Sequence, residues 1–216
     1  MFLKRTTTAA LALAALLSAG STSAQAPDAP GISPHVGHVL TSFRNTPEQK
    51  GFLETALAEA DVAIQHAGFG MRDLASLDNM KRHGGHVLHA VDPTLIAAGP
   101  GKGYGLKKAA DNIASHIEMA GAAADQPAAV KTHSVHVSSS ARNTAQRAEE
   151  IAVLAQQIQG ATTAEEAKPL FEQLNAKAQQ LRKGLDANND GRVGWQEGEG
   201  GLDTCQTHMD LMMRSL

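Results

Sequence analysis

Ten histidines and one short run of oxygen-bearing side chains are the parts of this 216-residue sequence that could do chemistry. Asp186, Asn188, Asp190 and Glu197 fall at the first, third, fifth and twelfth places of a twelve-residue segment. Gly191 stands sixth, where a chain wrapping an ion must turn sharply, and Val193 eighth, where an apolar side chain can pack behind the ion. Such a donor set suits calcium, a hard cation that takes six to eight oxygens at about 2.3–2.6 Å. Arg192 would lend its backbone carbonyl, Glu197 both carboxylate oxygens, and Gly194 room for a bridging water.

This segment resembles the EF-hand calcium-binding loop. The resemblance covers residues 186–197 and the helix leading into them, on which Phe171, Leu174, Ala178, Leu181 and Leu185 make an apolar stripe. It implies one Ca2+ held by Asp186, Asn188, Asp190, Arg192 and Glu197. Gly198, Gly200 and Gly201 follow the closing glutamate, and each costs about 1 kcal/mol relative to Ala in a helix. The exiting helix is therefore expected only from about Leu202, with Glu199 as a substitute closing ligand. No second loop accompanies the first, so the ion is expected to be structural rather than a switch.

The histidines repeat an i, i+3 spacing in His35/His38, His83/His86/His89 and His133/His136. Residues three apart share a helix face, so each pair can offer two imidazoles to one centre. His83 and His89 lie about 120° apart around a helix and cannot both join it. A bundle that gathers imidazoles from several helices can hold copper, zinc or haem. His86, His116 and His136, central in their helices, are the candidate members of such a site. Cys205, His208 and Met212 form a candidate copper site, since sulfur and imidazole suit Cu(I), although a Met-rich stripe also fills cores. No Glu-x-x-His pair occurs, so a carboxylate-bridged di-iron centre is not expected.

The elements that must position these groups read as helices almost throughout. Ala, Leu, Gln, Glu and Lys dominate, and they lose little side-chain freedom in a helix. Helices are expected over about 34–44, from a Thr46-Pro47-Glu48-Gln49 cap to Gly68 and Gly70, over 74–91, 106–123 and 127–159, and from Thr162/Thr163 onward, with Pro169 as a kink or a later start. The fold class is an all-α antiparallel bundle with a single C-terminal EF-hand-like loop, divided into a His-bearing bundle (27–160) and a helix–loop–helix (161–216). No 20–50-residue period stands out, so a repeat solenoid is not expected. Gly101-Lys102-Gly103-Tyr104-Gly105 lacks the P-loop ending and reads as a flexible connection rather than a phosphate cradle.

Lys4-Arg5, the apolar run Ala9 to Leu17 and small residues to Ala26 have the parts of a secretory signal peptide, cleaved after Ala24 or Ala26. A periplasmic or secreted protein, with no membrane insertion after cleavage, is expected. A net charge of −3 with 3% aromatics argues against nucleic acid, which requires basic grooves and stacking platforms. One cysteine rules out an internal disulfide, and no nucleophile elbow appears. The expectation is a non-enzymatic, exported calcium-binding protein of unspecified protein partner. The alternative is a copper-, zinc- or haem-binding bundle for storage, delivery or electron transfer.

Overall fold

The computed structural model describes residues 31–216; the expected signal peptide lies outside them. Seven α-helices and no strand occur among these residues: α1 (Pro34–Leu40), α2 (Phe52–Gly70), α3 (Leu77–Val91), α4 (Leu106–Ala122), α5 (Ala128–Gly160), α6 (Ala164–Lys183) and α7 (Leu202–Arg214). None is long and apolar enough to cross a membrane. The all-helical bundle expected from composition is thus present. Its last helix begins at Leu202, once the run of glycines has ended.

The 33-residue α5 is the axis of the bundle and packs against α3, α4, α6 and α7. Its buried faces carry Val130, Val137, Ile151 and Ile158 together with small residues such as Ala141, Ala148 and Ala155. Buried Ser134, Ser140 and Thr144 pack without leaving polar atoms unpaired. Each hydroxyl donates to the carbonyl one turn back, at 2.6–3.0 Å. Val135 to Ser138, whose alternation resembles a strand, is helical because the long apolar spacing on its C-terminal side continues through it.

Local chemistry sets the helix ends, with one correction. Ser76 and Thr163 accept from the amides of Asn79 and Glu166, and the Glu166 carboxylate accepts from the Thr162 amide. Pro169 sits inside α6 without ending it. Thr46 and Gln49, however, do not cap α2. Glu48 and Gln49 adopt left-handed φ values of 54° and 57°, and the Thr46 hydroxyl donates to the carbonyls of Phe43 and Lys50. The pairing of Ser42 with Lys50 closes residues 42–50 into a compact turn, and α2 starts afresh at Phe52 after Gly51.

The 99–105 connection is not a loose one either. Glu59 on α2 is fully buried, and its carboxylate accepts from the amides of Lys102, Tyr104 and Gly105 at 2.9–3.0 Å. The Gly101 amide donates to His89 Nδ1 at 3.2 Å. Gly105 (φ 88°) needs glycine twice over, because a Cβ there would also meet Pro93. The expectation of a flexible connection is thus corrected: the amides of the glycine-rich segment wrap a carboxylate, the protein's own Glu59.

Candidate metal centres

Nine of the ten histidines converge in three clusters: His35/His38/His116, His66/His83/His86 and His133/His136/His208. In each, an i, i+3 pair on one helix meets a lone histidine from a neighbour. The helix pairs are α1 with α4, α3 with α2, and α5 with α7. The lone histidine's Nδ1 lies 3.1 Å from the Nδ1 atoms of both His35 and His38 in the first cluster. The corresponding separations are 3.1 and 3.1 Å in the second, and 3.1 and 3.3 Å in the third. The separations from the lone histidine fit an ion about 2.0–2.1 Å from each nitrogen, the usual metal–imidazole distance, with an N–metal–N angle of about 100°, and the pair's own donor atoms lie within 4.8 Å of one another. Each triad could hold a transition-metal ion.

The clusters arise from a sequence pattern that recurs three times. His35-Val36-Gly37-His38-Val39, His83-Gly84-Gly85-His86-Val87 and His133-Ser134-Val135-His136-Val137 share a His-x-x-His-Val core, with starts 48 and 50 residues apart. In all three, the residue after each histidine is buried. The lone histidines recur too. His66, His116 and His208 each stand five residues after an aspartate (Asp61, Asp111, Asp203) and immediately before a buried apolar residue. The first two copies exchange partners, α1 reaching α4 and α3 reaching α2. The third pairs α5 with α7 across the inserted α6 and the loop after it. The expectation of no internal period is therefore corrected: the chain is no solenoid, but a two-helix pattern repeats through it. The insertion and the scarcity of identical positions conceal it.

His86, His116 and His136 do not form one site; each belongs to a different triad. The i, i+3 pairing located the two-histidine half of every cluster. The Asp-x4-His recurrence on the partner helices is a partial signal for the third member, since Asp78 and His83 repeat the spacing within a pair. His89, the tenth histidine, is 8% exposed and holds the 99–105 connection. Cys205, His208 and Met212 are divided as well. His208 completes the third triad, Met212 is buried in the core, and Cys205 Sγ donates to the Val137 carbonyl at 3.6 Å. Burial pushes the Cys205 thiol up to about 12, away from the thiolate that a metal ligand must become.

Six of the nine triad histidines are biased toward the neutral, donor form. Burial, reinforced by the neighbouring imidazoles, pushes His66 and His208 down to about 4. Burial likewise lowers His83, His86, His116 and His136, mostly reinforced by an adjacent histidine. A metal ion arriving at neutral pH thus has no proton to displace from them. The shifts have a sign for the metal-free fold. Unfolded imidazoles take protons near their ordinary value of 6.5, while folded His66 and His208 refuse them until about 4 and the other four lowered imidazoles titrate below their ordinary value. Stability is therefore full above pH 6.5 and is lost as the pH falls toward 4. Thermal unfolding in chelator, followed from pH 8 to pH 4.5, should show the midpoint level at first and then falling; a midpoint flat through pH 5 would contradict the buried triads.

In the 186–197 loop the side-chain oxygens serve the loop's own amides. The Asp190 amide donates to Asp186 Oδ1 (3.1 Å) and Asn188 Oδ1 (2.9 Å), the Gly191 amide to Asp186 Oδ2 (2.9 Å), and the Arg192 amide to Asp190 Oδ1 (2.9 Å). Gly191 has the left-handed φ (85°) expected of the sharp turn. Glu197 is exposed, whereas Glu199 is buried and accepts from the Gly194 amide at 2.7 Å. Val193 is 41% exposed and lies against Gly184, just before the loop. Among the described residues, the sets of three or more His, Cys, Asp or Glu donors within 4.8 Å of one another are the three triads; Asp186, Asp190 and Glu197 do not make a fourth.

The fold and its sites define an all-helical bundle with three tri-histidine clusters able to hold transition-metal ions. Comparison of the chain with protein-family models, with curated proteins and with solved structures finds no match. Its chemistry is therefore read from the triads themselves.

Proposed function

We propose that this protein is a metal-storing or metal-delivering bundle that binds three transition-metal ions, one in each triad. The observation that carries this reading is the threefold recurrence of one donor geometry, two imidazoles from one helix and one from its neighbour. An accidental histidine cluster has no reason to recur with the same atoms and spacing. Imidazole nitrogens with no thiolate or carboxylate among them suit copper and zinc. Three donors leave a four-coordinate ion one open position, which favours hand-over by ligand exchange over a sealed structural site. Three nitrogens aimed at one point suit a bare ion rather than haem, whose porphyrin already fills four positions on the iron. The expected signal peptide places this work in a periplasm or outside the cell.

Elemental analysis of full-length protein purified without a polyhistidine tag and dialysed against Zn2+ or Cu2+ tests the reading. Three equivalents bound above pH 7 are expected. No ion retained against dialysis would overturn it.

Calcium in the 186–197 loop is a second reading, supported by the EF-hand spacing and by a glycine turn that brings Asp186, Asn188 and Asp190 onto neighbouring amides. Its role would be structural, joining α6 to α7. Calcium should raise the unfolding temperature of the protein, and Glu197→Gln should weaken that response. An unchanged response would transfer the closing role to Glu199, and indifference to millimolar calcium would exclude the site.

A further inference from the structure

The three centres share a ligand geometry but differ in what lies against it. At the first, Phe43 and Phe52 approach His116 tilted or edge-on, with interplanar angles of 75° and 55°. At the second, Phe69 meets His66 and His83 edge-on, at 88° and 65°. At the third, Trp195 stacks on the face of His136, with ring centroids 4.2 Å apart and planes within 21°. Trp195 is the sole tryptophan of the chain, and it arrives on the segment inserted between α5 and α7 that the first two copies of the pattern lack.

That segment is built to hold the indole in place. Asn143 on α5 donates to the Gln196 carbonyl (2.7 Å) and accepts from the Gly198 amide (2.9 Å). Arg147, one turn further along and 5% exposed, donates to the carbonyls of Gly198, Glu199 and Gly200 at 2.6–2.7 Å. The Glu199 carboxylate closes the other side on the Gly194 amide (2.7 Å). Trp195 therefore lies between two anchored backbone stretches, with His136 beneath it. An imidazole clamped under an indole cannot swing away from a bound ion without breaking the stack. Among the described residues, the phenylalanines at the other two centres meet their imidazoles edge-on or tilted, and none lies face to face on a ring as Trp195 does.

We propose that Trp195 is a positioning residue for the third centre, which makes this site the slowly exchanging one of the three. The inference rests on the reading of the triads as metal sites. The first two centres, exchanged copies of one another, load and unload as an equivalent pair. The third retains its ion until the 186–199 segment moves.

The test is chelator chase of full-length protein loaded with three equivalents of Zn2+, using a colorimetric chelator in excess. Two ions should leave in a fast phase and one about tenfold more slowly, the ratio expected from an aromatic stack at the upper end of its usual worth. His208→Ala should remove the slow phase alone. Trp195→Ala should merge the slow phase with the fast, and Trp195→Phe should restore part of the separation. A merely structural role in the loop would shift the unfolding of the metal-free protein and leave the ratio of the two phases unchanged. Independently, Cu2+ should quench Trp195 fluorescence over one equivalent of the titration, the one that fills the third centre, and the quench should vanish in His208→Ala. Three ions leaving in a single phase, or a slow phase unchanged in Trp195→Ala, would overturn the proposal and leave the metal sites standing. Failure to retain any ion would overturn both.

Discussion

Alanine at His66, His116 or His208 should leave a protein that binds two ions instead of three, and alanine at all three should abolish binding. The lone histidine is the sensitive position because its Nδ1 is the atom common to both close contacts in each triad. Losing it leaves an i, i+3 pair on one helix, which binds weakly and no longer ties two helices together. The consequence for stability follows from linkage. An ion held by the folded chain alone, at a free concentration a thousandfold above its Kd, adds about 4 kcal/mol per site. Each single variant should therefore lose about a third of the metal-induced stabilisation, and the triple variant nearly all of it. The effects should also be local. His116→Ala releases the short α1, and His208→Ala releases α7, so hydrogen exchange in the presence of Zn2+ should rise in those segments first. His89→Gln supplies the contrast, because His89 lies in no triad: it should lower stability in the metal-free protein while the count of bound ions stays at three. If a lone-histidine variant still bound three equivalents, the assignment of that triad would fail.

Much of this was legible in the sequence, and the rest was not for identifiable reasons. Helix composition and capping residues gave α3 to α7 to within a few residues, because local free energies decide those boundaries. Thr46-Pro47-Glu48-Gln49 misled because its capping signature is local, whereas the pairing of Ser42 with Lys50 that overrode it lies outside the four residues. The histidine pairs were visible because i, i+3 neighbours share a face in any helix. Which third imidazole meets each pair depends on how helices cross, and centrality within a helix carries no information about that. His86, His116 and His136, each inside its helix, belong to three separate centres. Asp-x4-His followed by a buried Ala, Ile or Met marks the lone histidines only in part, because Asp78 and His83 repeat the spacing within a pair. Cys205 illustrates the opposite error. Spacing put it on a face with His208 and Met212, but full burial against Val137 takes its thiol out of metal chemistry.

Glu59→Ala should be the most damaging substitution away from the triads, lowering the stability of the metal-free protein by about 3–5 kcal/mol. The carboxylate is fully buried, and the amides of Lys102, Tyr104 and Gly105 all point at it. Removing it leaves three donors facing an apolar hole, and the cost of unpaired buried N–H groups exceeds what the carboxylate itself contributed. Glu59→Gln keeps the volume and one acceptor oxygen but turns an NH2 group toward amides that also donate, so an intermediate loss of about 1–3 kcal/mol is expected. The effect should reach the metal sites through the backbone. The cradle fixes the start of α4, which carries His116, against the middle of α2, which carries His66 seven residues beyond Glu59. In Glu59→Ala both the first and second centres should therefore weaken while the third, built on α5 and α7, keeps its affinity. Urea unfolding in chelator measures the first effect, and metal titration of the folded variant measures the second. Equal weakening at all three centres would show that the substitution loosens the whole bundle rather than the register of α2 against α4.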